Sequence, residues 1–70
     1  MIWPLLGKPT VLVHLVDVDQ SIEGVLLHKG ARELRLVAAR VWESAEASRS
    51  LDGMVVVPRE RCAFWQVVSR

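Results

Sequence analysis

Few side chains in this 70-residue chain could do chemistry. His14 stands three residues before Asp17 and close to Ser21, the residue types from which a base, an orienting acid and a nucleophile are assembled. The run from Thr10 to Asp19 reads as a strand, however, and a strand sends residues 14 and 17 to opposite faces. No relay forms between them without distortion. Cys62, the single cysteine, rules out an internal disulfide; set in an apolar stretch beside Arg61, it reads as a buried, inert thiol. His14, His28, Cys62, Asp17 and Asp19 could each ligate a metal, but no pair has a zinc-type spacing such as C-x-x-C or H-x-x-x-H. Gly7, Gly24, Gly30 and Gly53 are isolated, so no glycine-rich loop can cradle a phosphate. The chain is therefore read as non-enzymatic, without catalytic residues, cofactor or metal.

Nucleic acid is the next candidate ligand. Arg32, Arg35 and Arg40 fall in one region, and three tryptophans could stack on bases. Yet Glu33, Glu43, Glu46 and Glu60 interleave with the arginines, and nine basic residues balance eight acidic ones. A mixed-sign surface of this kind is ordinarily a solvated face, so nucleic acid is not the expected partner. Protein is. Hydrophobic residues make up 51% of the chain, and a domain this small cannot hide them all. Phe64 and Trp65 are adjacent in a strand and point to opposite faces, so one of them is expected at an interface. The alternative is that Trp65 lies under the N-terminal arm.

The elements that must position these residues follow from the β-branched runs. Residues 1–9 hold two prolines and a glycine and form an extended arm ahead of the barrel domain at residues 10–70. In the arm, Trp3, Leu5 and Leu6 are costly to leave in water, at roughly 1.5 to 3 kcal/mol for each large side chain that could be buried. The arm is either a loose terminus or a docking segment. Strands are expected from Thr10 to Asp19, with turn chemistry from Asp17 to Ser21, and from Ile22 to His28, with Gly24 marking a bend, a bulge or a close backbone approach. Lys29 to Arg32 is a hairpin loop. Glu33 to Glu43 is a third strand, although its composition also suits a helix; the alternation through Leu34 and Leu36 and the β-branched Val37 and Val41 favour the strand. Ser44 to Ser50 reads as a flexible polar loop. Met54 to Val57 and Cys62 to Ser69 are the closing pair, with Pro58 to Arg61 as the corner, since proline cannot donate to a ladder. The fold class expected is all-β, a small five-stranded, partly open barrel.

This order resembles the Sm-like small barrels. Ile22-Glu23-Gly24-Val25-Leu26-Leu27 is similar to the first Sm motif, a glycine between hydrophobic positions. The run from Val55 through the Pro58-Arg59-Glu60-Arg61 corner to Trp65 is similar to the second. Of the family's RNA-binding residues only Arg59 carries over, because Gly30 to Leu34 holds no asparagine and Arg59 is followed by Glu60. The pattern also resembles short Sm-like virion accessory proteins of tailed bacteriophages of actinobacteria. The resemblance implies a minor capsid protein in a virion, made in the host cytoplasm. It would bind a major capsid protein or copies of itself through Trp3, Leu5, Leu6, Val55, Val57, Phe64 and Trp65. The other implied reading is an RNA-binding Sm-like ring using Arg59. No segment is read as a membrane span, since the apolar stretch from Met1 to Leu6 is far too short to cross a bilayer.

Overall fold

The computed structural model describes residues 7–69, the last of them by its backbone alone, so Trp3, Leu5 and Leu6 of the arm lie outside the described residues. Six strands form: β1 (Thr10–Leu15), β2 (Ser21–Lys29), β3 (Glu33–Trp42), β4 (Ser48–Ser50), β5 (Val55–Pro58) and β6 (Cys62–Ser69). A 3-10 turn, Arg59–Arg61, links β5 to β6. All pairings are antiparallel, in the order β4-β3-β2-β1-β6, with β5 also on β3. The sheet does not close on itself, which makes it the partly open barrel expected. Among the described residues no helix is long and apolar enough to cross a membrane.

The long third strand gives the barrel its curvature. Its first half, from Glu33 to Leu36, pairs with β5, and its last residues, Arg40 to Trp42, pair with β4 on that same side. Between them Ala38 takes a left-handed φ of 51°. The effect is a change of phase: Leu34 and Leu36 are buried before it, Ala39 and Val41 after it. An even-numbered stripe becomes an odd-numbered one, as when one extra residue is inserted into a strand. This break is also why the segment imitates a helix in sequence, since neither half sustains the two-residue period long enough to declare itself. The left-handed conformation costs an L-residue about 1–2 kcal/mol, against roughly 0.5–1 kcal/mol of extra entropy lost by a glycine. Ala38→Gly is therefore expected to raise unfolding stability by about 0.5–1 kcal/mol, read as a higher urea midpoint, and Ala38→Val to lower it.

Gly24 sits under this bend. A β-carbon added there would lie 3.2 Å from the β-carbons of Leu36 and Ala39 and from the Val37 carbonyl oxygen, so β2 and β3 approach closely only because none is present. The β2–β3 register is irregular at the same point, between Glu23 and Val25. Val11, Val13, Ile22, Leu34, Leu36, Ala39, Val41 and Val57 form the core, with Leu15, Leu26, Leu51, Val55, Cys62 and Trp65 packed around it.

Two segments differ from the sequence reading. β1 stops at Leu15, ahead of the turn expected from Asp17 to Ser21: Asp17 enters the left-handed region at φ 65° and the Val16 N–H bonds to the Arg61 carbonyl at 2.9 Å. The polar segment at Ser44 to Ser50 is a loop only in its first part; its last three residues are β4, a short edge strand. The expected five strands thus become six.

Candidate functional site

Two surfaces bring functional side chains together. The first is the outer face of the sheet. In the β1–β2 hairpin His14 and Ser21 stand directly opposite each other, and on the other flank of β1 His14 faces Phe64. Ser21 Oγ and His14 Nδ1 are hydrogen-bonded at 3.1 Å, and His14 Nε2 and Gln66 Oε1 at 2.8 Å. The Phe64 ring stacks on the imidazole, with centroids 4.3 Å apart. Alongside, the Trp42 indole N–H donates to Glu23 Oε1 at 2.9 Å.

A serine, a histidine and an orienting side chain in series have the outline of a nucleophilic relay. Two features argue for a cross-link between strands instead. Gln66 is neutral and cannot stabilise an imidazolium as a carboxylate does. Ser21 also lies in a strand paired on both sides, with His14 across one ladder and Trp42 across the other, so its backbone is engaged in sheet pairing rather than arranged as an oxyanion hole. The sequence reading noted Asp17 and Ser21 near His14 and expected no relay between His14 and Asp17. The actual partner, Ser21, follows from hairpin register, and Gln66 comes from the far end of the chain, where no local pattern announces it. Among the described residues no three His, Cys, Asp or Glu side chains gather closely enough to hold a metal ion.

The second surface is the pair of open sheet edges. Among the described residues β6 pairs with β1 alone and β5 with β3 alone, leaving the far side of each strand unpaired. Trp65 stands opposite Val13 and packs half-buried on the core, whereas Phe64 is 56% exposed. The outward member of the aromatic pair is therefore Phe64. Val57 is core at 3% exposure and Val55 packs against the core, so the outward side chain of β5 is Val56, at 48%. That corrects the sequence assignment of Val55 and Val57 to the surface: strand alternation puts the odd positions inside.

Arg59, the residue that the Sm-like resemblance would give to RNA, is spent within the molecule. Its Nε–H donates to the Gly30 carbonyl at 3.0 Å, its backbone N–H to the Arg32 carbonyl at 2.8 Å, and its guanidinium lies over the Trp65 ring at 4.9 Å. It ties the corner to the β2–β3 hairpin and lids Trp65.

Cys62 opens β6 with its thiol donating to the Pro58 carbonyl at 3.4 Å. Burial pushes its pKa above the ordinary thiol value, an effect partly offset by the Arg59 guanidinium. Because the folded pKa is the higher one, this thiol's contribution to stability is intact below the unfolded thiol's pKa and is lost as pH rises through the folded one. Alkylation by iodoacetamide is expected to be slower in the native chain than in the urea-unfolded chain. It should also keep accelerating at pH values where the unfolded thiol has levelled off.

No family model and no curated protein matches the chain. Among solved structures it is similar to a chain in the crystal structure of the NatC complex bound to CoA, with a TM-score of 0.74 and 25% identity, over 96% of this chain and 83% of that one. This finding overturns the expected minor capsid role in a bacteriophage virion and, with it, the major capsid protein as partner. The physical reason is that short valine-rich strands around a glycine and a proline corner specify a small barrel and carry no mark of the particle it serves. The fold that positions Phe64, Val56 and the outer-face histidine is thus similar to that of a chain in the NatC complex.

Proposed function

We propose that the chain is a non-catalytic subunit of a multi-protein complex of the NatC kind, a small barrel of Sm-like type held in place by strand pairing along its open edges. The observation that carries this reading is β6. It is eight residues long, Cys62–Ser69, has neither proline nor charged residue, and is paired on one side only among the described residues. Phe64, Val67 and Val68 in it are each at least half exposed. Soluble proteins usually blunt such an edge with lysine, proline or a covering segment, because an unblocked edge pairs with another chain. A partner strand added there satisfies the open backbone groups and covers the apolar side chains together. The likeness to a chain of the NatC complex supports a protein as that partner.

CoA, named with that complex, does not suit the groove on the outer face that Leu12, Trp42 and Val68 line. Asp19 and Glu23 line it with no lysine or arginine, and phosphates would meet carboxylates there. In this reading another subunit holds it. The test is to purify the tagged chain from the cells that make it, alongside a form with its edges blocked by lysines at positions 56 and 67. Proteins recovered in fixed ratio with the native chain and lost from the blocked form support the reading. Recovery of the native chain alone, or of the same proteins with both forms, overturns it.

A further inference from the structure

The outer face holds an open groove of about 640 Å³, within the range of sites that take a ligand. Leu12, Trp42 and Val68 give it apolar walls, and Asp19 and Glu23 give it negative charge. The chain as a whole carries a formal charge of +1, so this local sign runs against the balance of the molecule. Glu23 uses Oε1 to hold the Trp42 indole N–H, and no bond within the described residues uses its Oε2. Arg40, opposite Glu23 in the β2–β3 ladder, directs its guanidinium to the Ser48 and Ser50 hydroxyls at 2.9 and 3.2 Å and does not line the groove. His14 also borders it, but its two ring nitrogens are engaged by Ser21 and Gln66.

We infer that this groove binds an extended segment of a partner protein in which a lysine or arginine alternates, two residues apart, with apolar side chains on the same face. The cation meets Asp19 and the open Glu23 oxygen beside the Trp42 ring, where ion pairing and cation–π attraction act together. The neighbouring apolar side chains cover Leu12 and Val68. The glutamate-held indole presents a fixed wall, which lowers the ordering cost of binding. The inference does not rest on strand pairing, since it uses the face of the sheet and not its edge.

The probe is an end-blocked Leu-Ser-Lys-Ser-Leu pentapeptide, in which the lysine and both leucines share one face of an extended chain, with Leu-Ser-Glu-Ser-Leu as its counterpart, each titrated into the full chain and followed by NMR. The basic peptide is expected to shift the Trp42 indole N–H and the Ser21 and Glu23 amides and to weaken with added salt; the acidic one should leave them in place. Glu23→Gln keeps an acceptor for the indole while removing charge. Combined with Asp19→Asn it should raise the Kd about tenfold, the size expected of two partly exposed ion pairs. Equal binding of both peptides, shifts confined to β6, or an unchanged Kd in Asp19→Asn alone and in the double variant would each overturn the assignment.

Discussion

Leu36→Ala is expected to leave the chain largely unfolded in buffer without denaturant. Leu36 is fully buried in β3, where that strand faces Leu26 of β2 on one side and Val55 of β5 on the other. It is also one of the side chains that crowd Gly24, at the point where the barrel bends most. A cavity there cannot collapse readily, because the atoms around it belong to three strands whose registers are fixed by their ladders. Truncations of this type cost about 2–5 kcal/mol. A domain of this size has only about 3–5 kcal/mol from its core in total. The loss thus matches the whole stability, and urea titration by circular dichroism should show no folded baseline. Val18→Ala, on the exposed β1–β2 turn, changes stability by no more than about 0.5 kcal/mol and serves as the control. A Leu36→Ala midpoint close to that of Val18→Ala would mean that the bend is not where the core is concentrated.

How much of this was legible beforehand depends on the range over which each residue acts. The β-branched runs of β1, β2, β5 and β6 and the proline corner act locally, and all stand in the fold at or near their expected places. Gly24 was legible as a bend, a bulge or a close approach, and it combines the close approach with the break in register between Glu23 and Val25. β4 was not, because Ser48, Arg49 and Ser50 have no apolar side chain to bury; they pair as an edge through the backbone ladder and the Arg40 guanidinium's bonds to the Ser48 and Ser50 hydroxyls. The phase change at Ala38 was hidden for a related reason: alanine carries no signature of a left-handed φ, and only its neighbours' burial reveals it. At the site, adjacency was enough to put Phe64 and Trp65 on opposite faces. Which one turned inward was decided by the register of β6 on β1 and by Arg59 closing over Trp65, both set by residues distant in sequence. The biological setting was less legible still. Physical pattern determines a barrel with an open edge, and the phage reading added to that pattern a source that no residue encodes.

The open edge yields the other large effect. Val56→Lys and Val67→Lys, made together, are expected to abolish partner binding while leaving the barrel folded. Each native side chain is about half exposed, at 48% and 51%, so a lysine can keep its ammonium in water in the free chain and the fold loses little. In the bound state the outcome is reversed. A strand laid against β6 runs beside Val67, which shares the Trp65 face of that strand, and one laid against β5 covers Val56. A lysine caught there must either shed its hydration or displace the incoming strand. Lysine is also the residue with which natural edge strands repel unwanted pairing. A penalty of about 2 kcal/mol corresponds to roughly a 30-fold loss of affinity for one substitution, and two together should remove detectable binding. The single variants discriminate further. If one partner engages both edges, each substitution alone weakens the same complex; if the edges serve different chains, each removes a different co-purifying protein. Circular dichroism and urea midpoints close to the native chain's are required of both variants. Undiminished binding by the folded double variant would move the interface away from the edges altogether and leave β6 an exposed strand without a protein partner.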